Sequence, residues 1–201
     1  MSEKKLYVKY VVCLRDKIVL QSELDRMGFH YEITVHGAIR FLKKSTKVQY
    51  QELKKNLLKK GYILLDEKES VLIDRIINTI IEVIHYSESL PNLNFHDIVN
   101  KHVISGEESL LKIFSDVKGM SILQFIVVQK IERAKELMLY EDLSLKEIAE
   151  ILNYKNKDYL AAQFKKTTGL TPRYFERLRK ERMAIVEKHT AELNSENAKT
   201  S

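Results

Sequence analysis

Apolar positions along the chain change their period as it proceeds. Between residues 6 and 66, short runs rich in Val, Ile, Tyr and Phe (LYVKYVV, HYEITVH, AIRFLKK and YILLD) have the look of strands. Between them lie two segments with apolar residues at helical spacing, Lys17–Met27 (Ile18, Leu20, Leu24, Met27) and Val48–Lys60 (Tyr50, Leu53, Leu57, Leu58). The order is strand, helix, strand, strand, helix, strand, with Gly28 and Gly61 at the helix ends and Gly37 at the hairpin turn. It predicts a ferredoxin-like βαββαβ sandwich as the first part of an α+β chain.

Past residue 66 the pattern becomes helical. Asp66 and Glu69 are spaced as a capping box for an amphipathic helix carrying Leu72, Ile73, Ile76, Ile77, Ile80, Ile81 and Ile84. The stretch SESLPNLN, with Pro91, gathers turn formers and marks a boundary. The expected organisation is a sandwich over 1–66, a linking helix and linker over 67–90, an all-α domain over 91–188 and a disordered tail over 189–201. Within the all-α part, a displacement of 50 residues superposes one segment on another without a gap. Leu93-Asn94 falls on Leu143-Ser144, Asp97-Ile98-Val99 on Glu147-Ile148-Ala149, Leu110 on Leu160, Phe114 on Phe164, Gly119 on Gly169, Ser121 on Thr171 and Phe125 on Phe175. One structural unit therefore occurs twice.

In the second copy, Ser144 and Glu147 form a capping box that opens SLKEIAEILNY, with Leu145, Ile148, Ala149 and Leu152 on one face. A short turn leads to NKDYLAAQFKKTTG, where Leu160 and Phe164 share a face and Gly169 closes the helix. Two helices on a tight turn, with small Ala149 at their crossing, are the parts of a helix-turn-helix. The string IAEILNYKNKDYLAAQFKKTTGLTPRYFERLR, with Ile148-Ala149, Tyr154, Phe164-Lys165-Lys166, Thr168-Gly169-Leu170-Thr171-Pro172 and Phe175, resembles the C-terminal signature of AraC/XylS transcription regulators. The resemblance covers about residues 93–180. It implies two tandem helix-turn-helix units joined by a helix over about Ser121–Tyr140, each reading one of two successive major-groove segments of double-stranded DNA.

This chain departs from that pattern in three places. Asn153 stands where the family has glycine, a position asparagine also tolerates in a left-handed backbone. Glu176 replaces the arginine after the aromatic, so a phosphate contact is lost there unless Arg173 or Arg177 substitutes. The first copy brings Glu107 and Glu108 to the start of its reading helix, and Phe95–Lys118 carries three basic against four acidic residues. The resemblance puts base contacts near Glu108, Leu111 and Lys112 in the first unit, and near Lys157, Asp158, Ala161 and Ala162 in the second. Lys112 and Lys157 are the candidates for direct readout, Ala161 and Ala162 for packing on thymine methyls, and Lys155, Asn156, Lys165, Lys166 and Arg173 complete the expected DNA-binding set.

Composition bears on the partner. The formal net charge is +6, from 34 basic against 28 acidic residues, and the stretch Lys155–Arg182 alone holds nine basic against three acidic. No apolar run approaches a membrane span, and MSEKKLYVKY lacks the continuous apolar core of a secretory signal, so a soluble, cytoplasmic protein without membrane association is expected. The pattern YVVCLRDKIVLQSELDRMGF resembles the heavy-metal-associated domain, a ferredoxin-like fold whose Met-x-Cys-x-x-Cys loop binds soft ions. Here Val11 replaces the methionine and Asp16 the second cysteine, so Cys13 and Asp16 are weak metal candidates and Cys13 reads as the unliganded residue of a relic scaffold. His85, His96 and His102 are expected on helix surfaces. No cofactor is expected, and no Ser/His/Asp set, phosphate-cradling loop or convergent carboxylates suggest an enzyme. A small-molecule effector and self-association into a homo-oligomer are the roles left for the N-terminal half. The alternative to a DNA-binding regulator is a metal-sensing or metal-handling protein with a DNA-binding half.

Overall fold

The computed structural model describes residues 4–87, 107–141 and 143–199. The elements in order are β1 (Lys5–Leu6), β2 (Val8–Lys9), α1 (Leu14–Arg26), β3 (Tyr31–Ile33), β4 (Ile39–Phe41), α2 (Lys47–Lys59), β5 (Ile63–Leu64), α3 (Glu67–Tyr86), α4 (Glu107–Lys118), α5 (Ile122–Tyr140), α6 (Leu145–Ile151), α7 (Lys157–Thr168) and α8 (Pro172–Lys199). The chain divides into two compact units. One gathers the described residues up to Glu82 with 107–118 and the chain on to Ile126; the other takes Val83–Ser87 and the described residues from Val127 onward.

In the first unit the strands are only two or three residues long and all pair antiparallel. They form a three-stranded sheet in the order β1-β4-β3 and a two-stranded sheet β2-β5. The single first strand expected from LYVKYVV is thus broken at Tyr7. That residue is almost wholly buried: its N–H donates to Ser70 Oγ at 3.2 Å and its hydroxyl to Asp74 Oδ1 at 3.0 Å, both on α3. Binding α3 takes Tyr7 out of the ladder and leaves β1 and β2 to pair with different partners. Helices α1 and α2 cover the strands with Leu20, Leu24, Leu53 and Leu57, which meet Leu6, Val8, Phe29, Ile39, Phe41 and Leu64 in one core.

Helix α1 begins three residues earlier than the apolar spacing suggests, because Asp16 caps it. The Asp16 carboxylate accepts from the Val12 and Cys13 N–H groups at 3.0 and 2.9 Å, and its other oxygen accepts from the Tyr62 hydroxyl at 3.0 Å. The Asp66–Glu69 box forms as expected, with Glu69 N–H donating to Asp66 Oδ1 at 2.8 Å and Asp66 N–H to Glu69 Oε2 at 3.2 Å. Helix α3 then buries Ile73, Ile76, Ile77, Ile80 and Ile84, while Leu72 remains exposed.

The first unit also holds α4. Tyr10, at φ 69°, donates its N–H to the Asp116 carbonyl at 2.7 Å, and Lys9 pairs with the Asp116 carboxylate at 3.7 Å. Half-buried Lys118 donates to the His36 carbonyl at 2.9 Å, and burial lowers its pKa.

In the second unit Ile131, Ala134, Leu137 and Met138 of α5 join Ile148, Ala149, Leu152, Leu160 and Phe164 in a second core. His85, expected on a helix surface, instead lies between side chains of α5, its Nδ1 3.2 Å from Glu136 Oε2 and its Nε2 3.2 Å from Gln129 Oε1. His96 and His102 fall outside the described residues. Helix α8 runs into the stretch expected as a tail, as far as Lys199, with no glycine or proline after Pro172 to interrupt it.

Candidate nucleic-acid interface

The second helix-turn-helix is built from its caps inward. Ser144 caps α6, its Oγ accepting from Glu147 N–H at 3.3 Å while Glu147 Oε2 accepts from Ser144 N–H at 2.7 Å. These bonds to Ser144 hold the Glu147 carboxyl below its usual pKa. After Leu152 the chain reverses at Asn153, whose φ of 51° is the left-handed conformation that asparagine was expected to accept, and Tyr154 N–H closes the turn on the Ala149 carbonyl at 2.8 Å. Asn156 then caps α7, its Oδ1 accepting from Tyr159 N–H at 2.8 Å. Gly169, at φ 77°, ends the helix.

Leu160 and Phe164 are fully buried, which fixes the rotation of α7 about its axis. Lys157, Asp158, Ala162, Lys165 and Lys166 are all exposed on α7, and Ala161 is half-buried. Lys157, Ala161 and Lys165 follow one another at intervals of four along one stripe. Lys155 is exposed in the turn and Arg173 in the first turn of α8. The structure therefore brings Lys155, Lys157, Ala161, Ala162, Lys165 and Lys166 to one helix and its leading turn, and engages the Asn156 side-chain oxygen as a cap.

Sequence reasoning missed several neighbours of this set. Tyr159 stands exposed on α7 beside the half-buried Tyr154 ring, centroids 6.1 Å apart, and Tyr154, desolvated by burial, has its pKa pushed up to about 12. Lys130 of α5 lies 5.2 Å over the same ring. Arg173, already in the expected set, lines a shallow concavity at the start of α8 with Arg177, Lys180, Leu170 and Thr171, a grouping that the sequence did not show. Helical spacing shows which residues share a face, but these residues meet only through tertiary packing.

The two copies match element for element where both are described. Displaced by 50 residues, the bounds of α4 (Glu107–Lys118) fall on those of α7 (Lys157–Thr168). Gly119 and Gly169 both adopt positive φ, 66° and 77°. Phe114 meets Phe125 edge to face at 5.6 Å, as Phe164 meets Phe175 at 5.1 Å. The linking helix α5 starts where expected, with Gln124 N–H donating to Ser121 Oγ at 3.1 Å. Lys112 is exposed on α4. The segment expected to begin the first copy, including Asp97-Ile98-Val99, and the side chains of Glu107 and Glu108 lie outside the described residues.

Residues 101–178 match a family model described as "Helix-turn-helix domain". That stretch of the chain is similar to a helix-turn-helix domain. Such a domain is a DNA-reading unit of the kind transcription regulators use. Over 74 residues the chain is 36% identical to the xylose operon regulatory protein of Haemophilus influenzae, covering 37% of this chain and 19% of that protein. Over 104 residues it is 31% identical to the uncharacterized transcriptional regulatory protein YesN of Bacillus subtilis, covering 51% of this chain and 28% of that protein. The chain thus spans 19% to 28% of the length of these relatives. Among solved structures it is similar to the C-terminal domain of the response regulator AraT from Geobacillus stearothermophilus, at 25% identity and a TM-score of 0.46, covering 54% of this chain and 85% of that one.

Among the described residues no three His, Cys, Asp or Glu side chains converge as a metal site, and Asp16 is committed to capping α1 beside exposed Cys13. No helix of the described residues is long and apolar enough to cross a membrane.

Proposed function

We propose that this chain is a sequence-specific, DNA-binding transcription regulator of the AraC/XylS type that reads two adjacent major-groove segments of double-stranded DNA. The observation that carries the reading is α7: a helix held at fixed rotation by buried Leu160 and Phe164, with Lys157, Ala162 and Lys165 exposed and Ala161 half-buried within the most basic part of the second unit. Lys157 and Lys112 read base edges, Ala161 and Ala162 pack on thymine methyls, and Lys155, Lys165, Lys166 and Arg173 hold phosphates. Asn156 contributes chiefly by fixing the helix start. The match of α4 to α7 supports two readers, and the charges on the two copies make the second the anchor.

The N-terminal elements over 1–66 we read as a ferredoxin-like sandwich, a relic of a heavy-metal-associated domain that no longer binds metal. The antiparallel pairings and the covering of α1 and α2 support this reading, with the first strand split at Tyr7. Its roles are to bind a small-molecule effector or a second copy of the chain.

Two substitutions test the assignment of the DNA contacts. Lys157→Ala lowers discrimination at one base-pair position, whereas Lys165→Ala weakens binding to all duplexes alike and makes the salt dependence shallower by about one. Equal effects from both would contradict the division into reader and phosphate contact.

A further inference from the structure

Outside the helix-turn-helix region, positive charge concentrates in one other stretch. Residues 43–60 carry Lys43, Lys44, Lys47, Lys54, Lys55, Lys59 and Lys60 against Glu52 alone, a local +6 equal to that of residues 155–182. Together these two stretches hold sixteen basic and four acidic residues, which leaves eighteen basic against twenty-four acidic in the remainder. The net charge of the chain is therefore segregated into two patches on an otherwise acidic protein.

The fold turns the first patch outward. Buried Leu53 and Leu57 dock α2 on the N-terminal core, and all seven lysines are exposed. Lys47, Gln51, Lys54, Lys55 and Lys59 fall on the outward half of α2, which is about 20 Å long at 1.5 Å per residue. Lys43 and Lys44 lie just before the helix. Among the described residues only Lys60 of the seven has an ion pair, its Nζ 3.5 Å from Glu23 Oε2. Lys55 and Lys59 are like charges at i and i+4, an arrangement that weakens a helix. An extended row of unpaired ammonium groups is complemented by an extended row of anions. Duplex DNA offers one phosphate per roughly 1.7 Å of helix axis, and the same chain carries a DNA-reading domain.

We propose that the exposed lysine face of α2, with Lys43 and Lys44, is a second DNA-binding surface that contacts phosphates without regard to sequence. This rests on the DNA-binding reading above and assigns to the N-terminal unit a surface outside the helix-turn-helix. Val48 and Leu58, 70% and 60% exposed, lie among these lysines, so an anionic membrane is the competing partner to be tested.

The test is the salt dependence of duplex affinity in the full chain with Lys54, Lys55 and Lys59 changed together to Gln. None of the three has an ion pair among the described residues, so the fold is retained, as circular dichroism would verify, and the corresponding triple Arg variant keeps the charge. The Gln variant is expected to show a slope of log affinity against log salt shallower by about 2 to 3, and binding more than about tenfold weaker at low salt. Its base preference should be unchanged, and the Arg variant should match the wild type. A slope unchanged from that of a DNA-binding wild type would overturn the proposal alone. A wild type that binds no duplex would overturn the DNA-binding reading with it. Loss of binding to phosphatidylserine vesicles with an unchanged DNA slope would assign the face to a membrane and equally overturn the proposal.

Discussion

Asp16 stands where the Met-x-Cys-x-x-Cys pattern has its second cysteine, and its surroundings show what the carboxylate does. Bonds from Cys13, then from the Val12 N–H, hold its pKa near 2 against an ordinary 3.8. A carboxyl depressed on folding stabilises the protein fully above its unfolded pKa, and that contribution is lost as pH falls toward the folded value. The stability gap between wild type and Asp16→Asn, read from denaturant midpoints, is therefore expected to be constant above about pH 5 and to close between about pH 4 and 2. A gap unchanged down to pH 2 would mean that the ionised carboxylate is not the stabilising form. Sequence could show the missing ligand, but the cap depends on where β2 delivers Val12 and Cys13. Tyr7 and His85 make the same point: each lies in a pattern that reads as strand or helix surface, and each is claimed by a polar partner far along the chain.

Among the elements, the repeat was the most legible feature, because it depends on exact spacing of Leu, Phe and Gly and not on any one propensity. Displacement by 50 residues carries α4 onto α7 and preserves the phenylalanine pair and the left-handed glycine after each helix. The difference between the copies was less legible. A Cβ on Gly169 meets open space, whereas one on Gly119 would stand 3.0 Å from Val12 Cγ1. Gly169→Ala should therefore cost about 1–2 kcal/mol from backbone strain alone. Gly119→Ala should cost more and loosen α4 from the N-terminal strands; thermal unfolding of the two variants would decide, and an equal loss would contradict the packing of Val12. Phe164→Ala removes a fully buried ring from the second core and should cost about 3–5 kcal/mol by denaturant titration, with loss of specific DNA binding. A smaller loss would mean that α7 is not set by this anchor. The strand lengths and the persistence of α8 to Lys199 were not legible, since both depend on a balance of weak local preferences.

For the molecule as a whole, the charge distribution and the repeat are the grounds for the proposed account, in which a basic second unit and a more acidic first unit both read DNA; the N-terminal unit holds α4 through Asp116 and Lys118. The composition displayed the basic stretch at 155–182, but the equal patch at 43–60 became meaningful only once α2 was seen to turn its lysines outward. The central claim is that the tandem units read DNA in succession, with the second dominant. Selection of random duplexes by the purified full chain tests it most directly. The account predicts an asymmetric site with two short specified blocks about ten base pairs apart, the block read by α7 being the more strongly constrained. Enrichment of a single block would show that α4 is not a reader, and binding without any sequence preference would contradict the account outright.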